Sequence, residues 1–457
     1  MLKIINPATE TLVRELEEDT ASSIQGKFGR AKAAQPTWAK TPLKERLDAI
    51  RRFRDAAKEQ RDKLAATMTS ETGKPISQSR NELNSLTGRV DFFLEHTEKT
   101  IGKEIVLSDM SQKLEEAITH EPLGVVANIS AWNYPYFVGS NVFVPALLTG
   151  NTVLYKPSEF ATLTGLAIQD LLHGAGIPKD AFITVVGGGT TGAELLKQPV
   201  NGVFFTGSYG TGIKIAEAAA KKMIKVQLEL GGKDPTYVCE DVNVKAVAEG
   251  TADGAFYNNG QSCCSVERIY VHTKVYDAFV EHFMNTVKGF VVGDPTDDKT
   301  YIGPLTRAPQ LAILEHQVAD AKAKGARLLS GGQRIQRKGY YFEPTVFVDV
   351  NHTMELMREE SFGPIIGIQR VSSDAEALAL MNDTQYGLTA GMYTLDRARA
   401  TQLLSQVNSG SVYWNCCDRV SPRLPWSGRG HSGIGATLST YGVQTFVQPK
   451  AWHLRFP

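Results

Sequence analysis

The chain carries no net charge, because 49 Lys and Arg residues balance 49 Asp and Glu residues over a length of 457. It therefore has no overall field to draw in a nucleic acid or an anionic membrane, and the expected partner is a small molecule, neutral or locally charged. It also lacks any apolar run long enough to span a bilayer, and its first residues, MLKIINPATE, lack the hydrophobic core of a signal peptide. A soluble, cytoplasmic protein is the expectation. Cysteine is scarce and odd in number: Cys239 stands alone, and Cys263-Cys264 and Cys416-Cys417 are adjacent pairs. Adjacent pairs make a poor disulfide framework for an intracellular chain, and without nearby histidine they make a poor zinc site. No metal is expected, and the cysteines are left with chemistry or packing.

What the chain does have begins with length, enough for two or three domains. One stretch, FYNNGQSCCS from Phe256 to Ser265, places two thiols directly after a Gly-Gln turn. A nucleophilic cysteine needs an exposed thiolate with backbone N–H groups facing the charge that develops on its substrate, and a Gly-containing bend entering a helix would supply both. Buried core cysteine is the equally open alternative.

Residues 20 to 100 read as helices, with Leu43, Leu47, Ile50 and Phe53 on one buried face and charge on a solvated one. From Gly124 onward, short apolar runs alternate with helical stretches: GVVANIS, NTVLYKPS, FITVVGGG and GVFFTGS. That alternation predicts a doubly wound parallel sheet, which binds ligands beyond the carboxyl ends of its strands. Polar and glycine-rich residues fall at those ends. Gly187, Gly189 and Gly192 satisfy GxGxxG, and the turn Gly207 to Gly212 sets Ser208 at a helix N-cap, where its hydroxyl could serve the helix or a phosphate. The acid that usually follows such a fingerprint about twenty residues on is missing. Glu159, with Lys156 nearby, could take its place at a ribose, or the two could be an ordinary surface pair. In VQLELGGKDP, Glu229 is flanked by Leu228 and Leu230. If it faces inward, desolvation should raise its pKa and suit it to general-base work; in an alternating strand it could equally face solvent.

LELGGKDP around Glu229 and FYNNGQSCCS around Cys263 resemble the paired signatures of the aldehyde dehydrogenase superfamily, in the same order and at similar separation. AWNYP (131–135), KPSE (156–159), FTGS (205–208), EESFGP (359–364) and SPRLPWSGRGHSGIG (421–435) extend the resemblance over nearly the whole chain. The fold it implies is α/β: a Rossmann-type dinucleotide-binding domain (1–106 and 123–229), an α/β catalytic domain (230–436) and a small β oligomerisation arm (107–122 and 437–457). The implied partners are an aldehyde and NAD or NADP, in a homodimer or homotetramer.

The resemblance makes Cys263 the nucleophile, Asn133 an oxyanion donor and Glu229 the base that hydrolyses the thioester. It assigns Trp132, Lys156, Glu159, Gly189, Gly207, Ser208, Glu360 and Phe362 to the nucleotide. Glu159 would repel a 2′-phosphate, so NAD is the expected cofactor and NADP the alternative. For the substrate pocket it points to Tyr134, Tyr136, Asn141, Tyr257 and Trp426. Relatives that oxidise succinate semialdehyde usually place an arginine where this chain has Asn141, and Tyr257 and Asn258 bring no cation to Cys263. The expected substrate is therefore an uncharged aliphatic or aromatic aldehyde, or a cationic one. The alternatives are a semialdehyde held by Arg423, or a CoA-acylating reaction, against which Glu229 argues. His431 is expected at the surface or at a cap.

Overall fold

The computed structural model describes residues 1–457. The four apolar runs seen in the sequence form parallel strands Val125–Ile129, Thr152–Lys156, Phe182–Thr184 and Gly202–Thr206, joined by Lys225–Glu229 and, antiparallel at the edge, Gly433–Ile434. The strands Val125–Ile129, Thr152–Lys156 and Gly202–Thr206 are buried throughout, which is why they read as unbroken apolar runs rather than alternating ones. Helices Pro135–Leu148, Thr162–Gly174, Gly189–Lys197 and Tyr209–Ala220 cover this first sheet.

The expected helical region is made of Ala21–Lys40, Leu43–Glu59, Arg61–Thr72 and Ile76–Ile101. Ile50 and Phe53 reach the core as the periodicity predicts, but the charged residues are not all solvated. Arg46, Lys74, Glu82 and Arg89 are buried, and Lys74 and Glu82 form an ion pair of 2.5 Å. Helical period alone assigns such residues to water; what packs against them decides otherwise.

A second sheet runs in the order Arg327–Ser330, Thr345–Val348, Ile365–Val371, Arg268–His272, Pro235–Val238, Thr389–Tyr393, Ser411–Trp414, parallel except at its first strand. A third sheet is antiparallel: Glu104–Asp109, Leu114–Pro122 and Val447–Arg455, with Pro449 on an edge strand opposite His120. Strand pairing at two places and core packing at a third divide the chain differently from the boundaries read in the sequence. The third sheet begins at Glu104, Gly433–Ile434 belongs to the first sheet, and Leu438, Val443 and Phe446 lie in the core that the first sheet shares with the helices. The N-terminal hairpin of Leu2–Asn6 and Thr11–Leu16 has no counterpart in the sequence reading. No helix is long and apolar enough to cross a membrane.

Candidate active site

Helix Val244–Phe256 ends just before the cysteine pair, and three consecutive residues then adopt left-handed backbone: Asn258 at φ 52°, Asn259 at 59° and Gly260 at 70°. Asparagine tolerates that region better than other side chains, and glycine is required at the third place, because a Cβ on Gly260 would lie 2.3 Å from the Gly363 carbonyl oxygen. Buried amides lock the turn. Asn258 Nδ2 donates to the carbonyls of Asn133 and Gln261 (both 3.2 Å), Asn259 Nδ2 donates to Pro304 O (2.7 Å), and Gln261 Oε1 accepts from Thr306 N (3.0 Å).

No helix begins at Cys263, contrary to the sequence expectation; the chain runs through a short turn into strand Arg268–His272. The thiol therefore gains nothing from a helix N-terminus. The adjacent Cys264 thiol lowers the Cys263 pKa, but burial and the carboxylates of Glu229, Asp234 and Glu360 outweigh it, and the net direction is up. The two cysteines occupy different settings. Cys263 is half-buried with its Sγ 3.9 Å from Glu229 Oε1, whereas Cys264 is buried with its Sγ 3.0 Å from Asp418 Oδ1. Hydrogen bonding between the thiols, burial and Asp418 push Cys264 well above the ordinary thiol range.

Glu229 ends its strand and turns inward, 4% exposed, so the solvent-facing alternative does not hold. Its Oε1 accepts from the Trp426 indole N–H (2.6 Å) and its Oε2 from the Thr206 hydroxyl (3.3 Å). Burial raises its pKa; Trp426, Thr206, Arg89 and Cys263 oppose that shift. Asn133 Nδ2 donates to Gln261 O at 3.1 Å, which spends one amide hydrogen and leaves the other.

On one side of Cys263 lies a groove of about 400 Å³ at the carboxyl ends of the first sheet, lined by Trp132, Lys156, Glu159, Gly189, Gly207, Ser208, Glu360 and Phe362. Every nucleotide residue expected from the sequence is here. Two glycine turns are open: a Cβ built on Gly189 or Gly210 would meet nothing within 4 Å, which leaves room for a ligand at the starts of helices Gly189–Lys197 and Tyr209–Ala220, while the Gly188 N–H donates to Glu18 Oε2 at 3.4 Å. Ser208 is at the N-cap of helix Tyr209–Ala220 but makes no capping bond; its hydroxyl turns to Thr211 Oγ1 at 3.1 Å. Lys156 is buried, donates to Pro157 O (3.1 Å) and stands 3.9 Å from the half-exposed Glu159 carboxylate. Glu360 accepts from Gly232 N (3.0 Å), and desolvation, with help from Glu267, pushes it up to about 8. Phe362 sits at φ 47° with its ring edge-on to Trp132 at 5.5 Å, and its N–H donates to Glu267 Oε1 (3.1 Å). Glu267 also forms a buried ion pair with Lys233 at 2.6 Å. Arg307 and Gln310, which no sequence signal singled out, complete the wall.

On the other side of Cys263 lies a cavity of about 560 Å³, lined by Tyr134, Asn141, Tyr257 and Trp426 as expected. Tyr136 is not among its walls; it is fully buried in the core. The expectation that no cation approaches Cys263 also fails. Arg89, from helix Ile76–Ile101, lines the cavity and donates from Nη1 to Asn141 Oδ1 at 2.6 Å. A guanidinium thus reaches the Asn141 position from a distant helix. The spacing from Asn133 cannot reveal a residue contributed 44 positions earlier, and nothing else in the sequence marked it. Arg423 lines the cavity from its exposed side, and Asp418 stands beside Cys264. His431 stacks on Tyr209, ring centroids 3.8 Å apart, away from the thiol. Cys263 is the single residue common to the walls of groove and cavity.

A sequence profile of the aldehyde dehydrogenase family matches residues 1–452. Glutarate-semialdehyde dehydrogenase of Pseudomonas aeruginosa is 34% identical over 451 residues, 98% of this chain and 93% of that protein. The peroxisomal aminoaldehyde dehydrogenase 1 of Malus domestica is 32% identical over 459 residues, 98% of this chain and 91% of its own length. The crystal structure of PnpE in complex with nicotinamide adenine dinucleotide superposes with a TM-score of 0.96 at 33% identity, covering 99% of this chain and 94% of that one.

Proposed function

The chain belongs to the aldehyde dehydrogenase family and is an oxidoreductase acting on aldehydes with a nicotinamide dinucleotide, and we propose that Cys263, Glu229 and Asn133 carry the reaction. The observation that supports this most is the placement of Cys263 as the one wall residue shared by groove and cavity, with Glu229 3.9 Å from its sulfur. In this reading the Cys263 thiolate adds to the aldehyde carbon while the carbonyl π pair moves onto oxygen. The free amide hydrogen of Asn133 and the Cys263 backbone N–H donate to that oxygen as its charge grows. The chemistry a bound nicotinamide supplies is a hydride acceptor for the C–H bond that breaks as the carbonyl re-forms, leaving a thioester. Glu229 then takes a proton from a water, whose oxygen attacks the thioester carbon; the C–S bond breaks, the acid departs and the thiolate is restored.

Lys156, Glu159, Gly189, Gly207 and Ser208 would hold the adenosine end and the phosphates of the dinucleotide, and Trp132, Glu360 and Phe362 the nicotinamide end. A 2′-phosphate would meet the Glu159 carboxylate, so NAD is the inferred cofactor; Lys156 is turned to Pro157 O and offers that phosphate little relief. With five free thiols and no disulfide, the chain suits a cytoplasmic setting. The third sheet would serve as the arm of a homodimer or homotetramer.

Replacing Cys263 by Ala tests the assignment. NADH formation should disappear while nucleotide still quenches tryptophan emission; retained activity would sink the role given to Cys263. Dependence on added CoA for turnover would remove Glu229 from its role and replace hydrolysis with acyl transfer.

A further inference from the structure

Arg89 is 5% exposed, yet it has no carboxylate within ion-pair distance. Its Nη1 donates to Asn141 Oδ1, its guanidinium lies 4.2 Å over the Phe137 ring, and its Nε is buried with no hydrogen-bond partner. A buried charge is costly unless paired, and one held beside a cavity with donors unspent is pre-arranged for an anion that arrives from solution. Burial lowers its pKa to about 10, Glu229 and Glu82 opposing, so it remains charged at neutral pH. The acids that line this cavity already have donors: Glu229 accepts from the Trp426 indole, Asp418 takes the Cys264 thiol, and Asp253 accepts the Tyr301 hydroxyl at 2.5 Å. The acids thus have partners, and the buried cation lacks an anionic one.

We propose that Arg89 is the specificity-determining residue of the aldehyde cavity and that it binds a carboxylate at the far end of the substrate, which makes the substrate a semialdehyde. This rests on the reading of Cys263 as the nucleophile that faces the cavity. A guanidinium offers a carboxylate two parallel N–H donors, and Asn141 holds one Nη so that the fork keeps its orientation. Arg423, on the exposed side of the same cavity, adds positive charge along the approach. The uncharged or cationic tail inferred from the sequence gives way to an anionic one, because the arginine absent at Asn141 is supplied by Arg89.

The test compares kcat/KM for aldehydes of matched chain length that end in a carboxylate, a methyl group or an ammonium, at saturating nucleotide. The carboxylate should lead the methyl-ended aldehyde by at least tenfold, mainly through KM. Arg89→Met should cut that lead tenfold or more, and Arg89→Lys should restore part of it. Competition in the wild-type protein needs no variant: a saturated dicarboxylate of the same length should inhibit competitively against the methyl-ended aldehyde, and the matching diamine should not. Equal handling of the three tails, a preference for ammonium, a uniform loss in Arg89→Met, or inhibition by diamine alone would each overturn the role of Arg89 while the aldehyde reading stands. If no aldehyde is oxidised in a Cys263-dependent manner, both readings fail together.

Discussion

Trp426 donates to Glu229 at 2.6 Å, and that bond governs when the carboxylate can act. As a base, Glu229 must be ionised, so turnover limited by hydrolysis should fall as pH falls through its raised pKa. The indole is among the groups that hold this pKa down against burial. Replacing Trp426 by Phe should therefore move the acidic limb of the kcat profile to higher pH, and an unmoved limb would point to a base other than Glu229. Glu229→Gln should lower kcat by about 10²–10⁴-fold, the usual worth of a general base, with a burst of NADH in the first turnover if acylation survives. These residues were legible through the family resemblance, whose signatures LELGGKDP, FYNNGQSCCS and AWNYP are short and distinctive; taken by themselves they left Glu229 free to face either way and Cys263 open between nucleophile and core. Arg89 was not, since a lone arginine in a charged helix carries no mark of what packs against it.

At the scale of elements, the left-handed turn before Cys263 stores strain that its buried amides offset. Gly260→Ala should cost about 1–3 kcal/mol or more, from a φ of 70° that disfavours any Cβ and from collision with Gly363 O; urea denaturation would measure it. Because Gly363 follows Phe362, the same change should raise KM for the nucleotide. Glu267 ties that loop down through the N–H groups of Ser361 and Phe362 and through Lys233, so Glu267→Ala should remove about 3–5 kcal/mol, as expected when one member of a buried pair is lost. Equal stability of Glu267→Ala and wild type would mean the pair is dispensable. The parallel strands were readable as apolar runs, since full burial leaves no alternation to obscure them. The turn at Cys263 is not the helix entry that the sequence suggests, because Gly and Asn permit several backbone paths and only the buried partners at Gln78, Asn133 and Pro304 select one.

At the scale of the molecule, the third sheet and the residue that follows it leave Ile105, Val106, Trp452 and Phe456 between 40% and 55% exposed, with Leu454 at 38% just below. Such a surface fits association with another copy. Deleting residues 448–457 should shift the protein to a smaller species in light scattering; an unchanged mass would place the interface elsewhere. The groove and the cavity, which share only Cys263, carry a consequence of another kind. On the proposed reading, nucleotide choice and aldehyde choice are written in separate sets of side chains, so evolution or a designer can revise one without rewriting the other. Changes at Glu159 and Arg89 should multiply in kcat/KM, their free energies adding to within about 0.5 kcal/mol, as independent sites do. One thiol then becomes a fixed joint between two interchangeable halves, able to pair a new substrate with an old cofactor or the reverse.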